Sequence, residues 1–195
     1  MTIATRKFTF AEYLAYEDGT DIRYELVDGD LIPMAVGIGK HGGIIEFLNE
    51  QFKATIQQMA NPWTSKEMKI ALRSPRGGRW DTARIPDGVV LSQVQWEAMQ
   101  EKEAVIDLND PPPFLVVEVV SESTTSTDYR AKHSEYAVLD IPEYWIVDPL
   151  AQQVTICHLT EGRYDDAVFT GDQIIVSNTF PGWHLTAAQI LAGKR

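Results

Sequence analysis

The sequence predicts an α/β (α+β) chain, a mixed β-sheet covered by helices, on three observations. The first is Phe114-Leu115-Val116-Val117-Glu118-Val119-Val120-Ser121, introduced by Pro111-Pro112-Pro113 and closed by a Ser/Thr-rich loop. Six of its eight residues are apolar, and such a run between turn signals reads as a strand buried on both faces. The second is a strand–helix–strand order over residues 114–121, 128–139 and 143–147, which predicts one parallel pair in a mostly antiparallel set. The third is size: 195 residues, 44% hydrophobic and 23% charged, fit a single domain over residues 1–195 with a core of its own.

The elements follow in order. Thr9-Phe10-Ala11-Glu12 is a capping-box pattern that starts a helix of about two turns ending before Asp18-Gly19. Residues 23–27 and 30–32 flank Asp28-Gly29, the signature of a tight hairpin. A long helix runs from near His41 to Met59, burying Ile44, Ile45, Leu48, Phe52 and Ile56, and Asn61-Pro62 stops it. Residues 63–72 and 83–91 read as two strands, the second interrupted by Pro86-Asp87-Gly88, because proline in a strand marks an end, an edge or a bulge. Residues 93–102 form a short helix. After the 114–121 strand, Thr124-Thr125-Ser126-Thr127 offers caps for a helix over 128–139, which Asp140-Ile141-Pro142 ends. Strands follow at 143–147, 153–159 and 173–176, and a helix over 183–192 closes the chain.

Composition narrows the function classes. No apolar run approaches the roughly 18 residues a membrane span needs, and residues 1–7 carry no secretory apolar segment. Cys157 is the only cysteine, which excludes an intrachain disulfide and fits a cytoplasmic protein. It lies in a strand-like run and reads as a small core hydrophobe. His133, His158 and His184 show no metal-ligand spacing. The net charge of −11 opposes a broad nucleic-acid footprint. Residues 66–84 nevertheless hold six basic residues, Lys66, Lys69, Arg73, Arg76, Arg79 and Arg84, against two acidic ones. That stretch is either a solvated basic hairpin or a local phosphate-contacting patch.

Glu118 poses the chemical question. A lone carboxylate in a buried strand costs several kcal/mol, on the order expected of a poorly compensated ion, unless something pairs with it. A metal cation would do so, as would an arginine or backbone N–H groups. Asp87 follows Pro86 in a second strand, and if the two strands are neighbours their carboxylates converge. Two such groups either raise a pKa or bind a cation. Oxygen donors without a His/Cys cluster suit Mg²⁺ or Mn²⁺. A hydrolytic site acting on phosphate also wants a positive group, and Lys132 on the following helix can reach back over the strand end. Asp128, four residues earlier, offers the plainer reading of Lys132 as half of an exposed helix pair worth about 0.2–0.5 kcal/mol. Asp87 in Pro-Asp-Gly could be a turn residue alone.

The ordered set Pro86-Asp87, Glu118 in an apolar strand and Lys132 in the next helix resembles the PD-(D/E)XK nuclease superfamily. More narrowly, the chain resembles a bacterial family of small, restriction-endonuclease-like proteins. Arg23-Tyr24-Glu25-Leu26-Val27-Asp28-Gly29, His41, residues 114–121, and Asp128 through Lys132 and Tyr136 to Glu143-Tyr144-Trp145-Ile146-Val147-Asp148-Pro149 carry that likeness. The resemblance implies a restriction-endonuclease-like sheet flanked by helices. It implies Asp87 and Glu118 as metal ligands with the Val119 carbonyl as a backbone ligand, and Glu25 and His41 completing the site. The superfamily usually places its lysine two residues after the second acid. That position is Val120 here, and Lys132 takes its place.

Two functions compete. One is a Mg²⁺-dependent endonuclease acting on nucleic acid, DNA first, with Asp87, Glu118, Lys132, Glu25 and His41 as its site and residues 66–84 on the phosphates; a homodimer would suit cutting both strands. The other is a non-catalytic dimeric interaction or regulatory module on the same fold. A serine or cysteine hydrolase lacks both a Gly-x-Ser-x-Gly elbow and a reactive cysteine setting.

Overall fold

The computed structural model describes residues 6–34, 37–74 and 81–194. Two sheets and their helices account for it. One sheet has the strand order β2-β1-β5-β4-β7, built from β1 (Tyr24–Val27), β2 (Asp30–Pro33), β4 (Ala71–Ser74), β5 (Thr82–Arg84) and β7 (Val105–Ile106). The larger has the order β11-β10-β9-β8-β6-β3, from β3 (Trp63–Glu67), β6 (Gly88–Ser92), β8 (Leu115–Val119), β9 (Glu143–Asp148), β10 (Gln153–Thr160) and β11 (Arg163–Thr170). The larger sheet is mixed, as expected, with β8 parallel to β9; the smaller sheet is mixed too, through a parallel β4–β7 pair not expected from the sequence.

The apolar run becomes β8, whose five residues are all buried. Alternation along it divides the core in two. Leu115, Val117 and Val119 face a cluster with Ile44, Leu48 and Phe52 of α2 (Gly39–Met59) and Ile190 of α5 (Ala187–Ala192). Val116 and Val120 face a second cluster with Ile70, Leu72, Tyr136 and Tyr144. Glu118 lies on that second face, between the larger sheet and the elements that cover it.

The hairpin turn is as expected. Asp28 and Gly29 both take positive φ, 49° and 79°, which lets the turn follow the strand twist. The capping box at Thr9 also forms, ahead of the short α1 (Phe10–Leu14). Five other expectations require correction. The 63–72 strand is two strands in different sheets, divided at Met68 with φ 46°. The 83–91 strand is likewise divided between β5 and β6 at Pro86. Residues 173–176 make no strand, only an isolated bridge from Ile174 to Thr186; the hairpin partner of β10 is β11. The closing helix starts only after Thr186, whose hydroxyl accepts from the Gln189 N–H in a capping box. The helix over residues 93–102 is shorter than expected, α3 (Gln93–Glu97).

The crossover between β8 and β9 is a helix in two registers. A π-helical turn, Thr127–Lys132, runs into α4 (His133–Val138). Such wide turns cluster at functional sites. No described helix is long and apolar enough to cross a membrane.

The motif Tyr144-Trp145-Ile146-Val147-Asp148-Pro149 is structural. Its strand is buried throughout. Asp148 Oδ1 accepts from the Leu150 and Ala151 N–H groups at 2.9 Å, and Oδ2 from the Tyr129 hydroxyl at 3.0 Å. Glu143 is fully buried and accepts from Trp145 Nε1 (2.5 Å), Ser177 Oγ (2.6 Å) and the N–H groups of Asn178 and Thr179 (both 2.8 Å). It ties the segment before α5 to the sheet.

Candidate active site

Strand register brings the two acids together. β6 pairs antiparallel with β8, Gly88 opposite Val117, so Asp87, one residue before, stands beside Glu118. Asp87 Oδ2 accepts from the Val119 N–H at 2.7 Å. Among the described residues no hydrogen bond reaches its Oδ1. Gly88 packs on Val117, whose Cβ stands 3.5 Å from where a Cβ on Gly88 would be, an ordinary contact.

Glu118 is 3% exposed and has both oxygens engaged. Oε1 accepts from the buried Tyr136 hydroxyl at 2.6 Å, and Oε2 lies 2.8 Å from Lys132 Nζ. Lys132 also lies 3.0 Å from Asp128 Oδ1. Asp128 is 1% exposed, and neither of its oxygens has a well-aligned hydrogen bond. The Asp128–Lys132 pair is therefore not the exposed helix pair of the plainer reading. Its spacing puts both side chains on the inner side of the π-helical turn, and Tyr136, four residues on, continues that face.

Electrostatics mark the site as short of positive charge. Burial, with Asp87, Asp128 and Glu25 adding to it, pushes the Glu118 carboxyl up to about 8 against the opposing pull of Lys132. Burial likewise raises Asp128, again opposed by Lys132. Burial works against the Lys132 ammonium, but Glu118 and Asp128 outweigh it and hold its pKa above the ordinary lysine value. His41 sits at the start of α2. Its Nε2 donates to the Val119 carbonyl at 2.9 Å and lies 3.4 Å from Asp87 Oδ2. The bond to Asp87 raises the His41 pKa, with burial opposing. Even with His41 protonated, two positive groups meet the three carboxylates of Asp87, Glu118 and Asp128. A hard divalent cation fits that deficit and that oxygen set. Asp87 Oδ1 and the second lone pair of the Val119 carbonyl remain as acceptors.

The remaining expected site residues divide. Glu25 reaches the neighbourhood but is engaged: Oε1 accepts from the Ile85 N–H and Oε2 from Arg84 Nη1, both at 3.0 Å. Arg84 is 3% exposed and forks onto Glu135 at 2.8 and 3.1 Å. This corrects its reading as a phosphate contact, because its guanidinium is buried between two carboxylates and joins β5 to α4. Arg73 pairs with Asp81 (2.5 Å) and Asp107 (2.9 Å), so its charge is largely neutralised. Lys66 lies over the Trp96 ring at 4.2 Å, Lys69 is exposed, and Arg76 and Arg79 fall outside the described residues. Val120, where the superfamily usually has its lysine, packs in the core with Tyr136. Asp128 and Tyr136 join the site without a role foreseen for either. The four-residue spacing of Asp128, Lys132 and Tyr136 was the available signal.

A crystal structure described as a putative nuclease belonging to DUF820, from Anabaena variabilis, superposes with a TM-score of 0.75 over 95% of this chain and 98% of that one. The two are 16% identical, so the likeness establishes the fold. No curated protein matches the sequence. The family described as "Uma2: Putative restriction endonuclease" matches residues 10–188, from α1 to the first turn of α5 and across every residue of the site, and the chain belongs to that family.

Proposed function

We propose that the protein is a Mg²⁺- or Mn²⁺-dependent endonuclease that hydrolyses phosphodiester bonds, with DNA as its substrate. One observation carries the reading: Glu118 and Asp128 share Lys132 with Asp87 beside them on His41, leaving buried negative charge that a divalent cation would balance. Asp87 and Glu118 are the carboxylates that would hold it, with the Val119 carbonyl beside them. When bound, the cation supplies an activated water and neutralises charge developing on the phosphate. Lys132 provides a fixed ammonium for that charge. His41 orients Asp87 and the Val119 carbonyl, and Glu25 acts through Arg84 as a positioning residue. Lys66 and Lys69 are the described members of the 66–84 stretch left to meet a phosphate backbone.

Calorimetric titration of Mg²⁺ and Mn²⁺ tests this, comparing the native protein with Asp87→Ala and Glu118→Ala, alone and with a DNA or RNA oligonucleotide. The expected result is a site in the native protein that both variants lose, followed by metal-dependent cleavage of DNA that Lys132→Ala abolishes. No metal binding with or without oligonucleotide would refute the reading and leave an interaction module on a nuclease fold. Sedimentation at the assay concentration tests for the homodimer that duplex cleavage would favour.

A further inference from the structure

A second group of donors lies on the outer part of the larger sheet. Cys157 in β10 and Asp166 in β11 are directly opposed cross-strand partners, so their side chains share a face. His133, the first residue of α4, comes down onto the same spot. One donor atom from each of the three residues lies within 4.8 Å of the others. His133 Nε2 is 3.0 Å from Asp166 Oδ1 and 3.2 Å from Oδ2. The imidazole is set edge-on by Tyr164, centroids 5.1 Å apart, and by Tyr144 at 6.5 Å. Tyr164 is itself anchored, its hydroxyl donating to the Ile141 carbonyl at 2.9 Å.

We propose that His133, Cys157 and Asp166 form a zinc site. Donor chemistry selects the ion. A thiolate, an imidazole and a carboxylate are the ligand types Zn²⁺ takes, at about 2.0–2.3 Å, and a thiolate disfavours Mg²⁺ or Ca²⁺. The charges also match: thiolate and carboxylate sum to the two negative charges that a divalent ion balances. The thiol proton leaves to solvent as the S–Zn bond forms, because a coordinating thiol is deprotonated outright. Asp166 and His133 are part-exposed, their side chains 45% and 25% accessible, so the ion has an entry path and its fourth position faces water. Bringing three atoms from within 4.8 Å of one another onto one ion needs side-chain adjustment of about an ångström or less. The site fastens the start of α4, one residue after Lys132, to the β10–β11 hairpin. Sequence spacing conceals it, since the donors come from three elements.

The proposal stands apart from the nuclease reading, and its test uses other residues. Co²⁺ alone is titrated into the reduced native protein and followed by its thiolate-to-cobalt charge-transfer band; Zn²⁺ alone is then added, with a chromophoric chelator reporting affinity. The expected result is a band saturating at one equivalent and erased by Zn²⁺. His133→Gln and Asp166→Asn, both at part-exposed positions, should weaken Zn²⁺ binding by about tenfold or more. Cys157→Ala should remove the band, while Asp87→Ala should keep it. Absence of the band in the native protein overturns the proposal, as does Zn²⁺ binding that His133→Gln and Asp166→Asn leave unchanged.

Discussion

Glu118→Gln separates a functional acid from a structural one. In the folded protein the carboxyl is held at about 8 rather than at its ordinary 4.5, chiefly by burial. At about 1.4 kcal/mol per tenfold, that difference disfavours the metal-free folded state by about 3 kcal/mol at pH 7 and about 5 kcal/mol above pH 8. The sign follows from proton binding. Between pH 4.5 and 8 the folded chain holds a proton at Glu118 that the unfolded chain has lost, so the stability of the native protein falls as pH rises through that window. Glutamine cannot ionise and lacks this slope. It also cannot accept from Tyr136 and Lys132 with two oxygens, a pH-independent loss of about 1–3 kcal/mol. The quantity to read is therefore the change with pH. Urea denaturation in EDTA at pH 4.5, 6, 7 and 8 should show Glu118→Gln gaining about 3 kcal/mol on the native protein between pH 4.5 and 7. A flat or opposite difference would mean that Lys132 fully satisfies the carboxylate, and the argument from a charge deficit would fail.

Three further outcomes are expected. Protons compete with metal for Glu118, so Mg²⁺ affinity should weaken as pH falls below about 8, by up to about tenfold per pH unit, which calorimetry at several pH values measures. Arg84→Met removes the buried guanidinium that Glu25 and Glu135 share and should destabilise the fold by about 3–5 kcal/mol; a loss of oligonucleotide affinity at unchanged stability would mean instead that Arg84 contacts phosphate. Glu143→Ala leaves the Asn178 and Thr179 N–H groups and the Ser177 hydroxyl without their acceptor. It should cost at least about 3 kcal/mol and speed amide exchange at residues 177–180, detected by mass spectrometry.

Much of the site is legible in the chain because it rests on local rules. A β-branched run between prolines and a Ser/Thr loop specifies β8, and a carboxylate at its centre signals an unusual demand on whatever packs there. Pro86-Asp87-Gly88 specifies a break in the strand, since proline cannot continue a sheet ladder, and Asp28-Gly29 a hairpin, since few residues tolerate its positive φ angles. The strand–helix–strand order dictates that β8 and β9 run parallel. Sheet membership is not local, and only the tertiary structure decided it. Residues 63–72 and 83–91 each read as one strand in the chain, but packing a second sheet over the first divides both. Partners of charged side chains are decided the same way. Arg84 belongs by sequence to a basic stretch, yet it is buried because Glu135, 51 residues away, folds over it. Asp128 becomes part of the site because a π-helical turn points it inward with Lys132; their four-residue spacing hints at a shared face but not at which side of the helix is buried. His133, Cys157 and Asp166 meet because a hairpin and a helix start converge, and their spacing along the chain carries no trace of it.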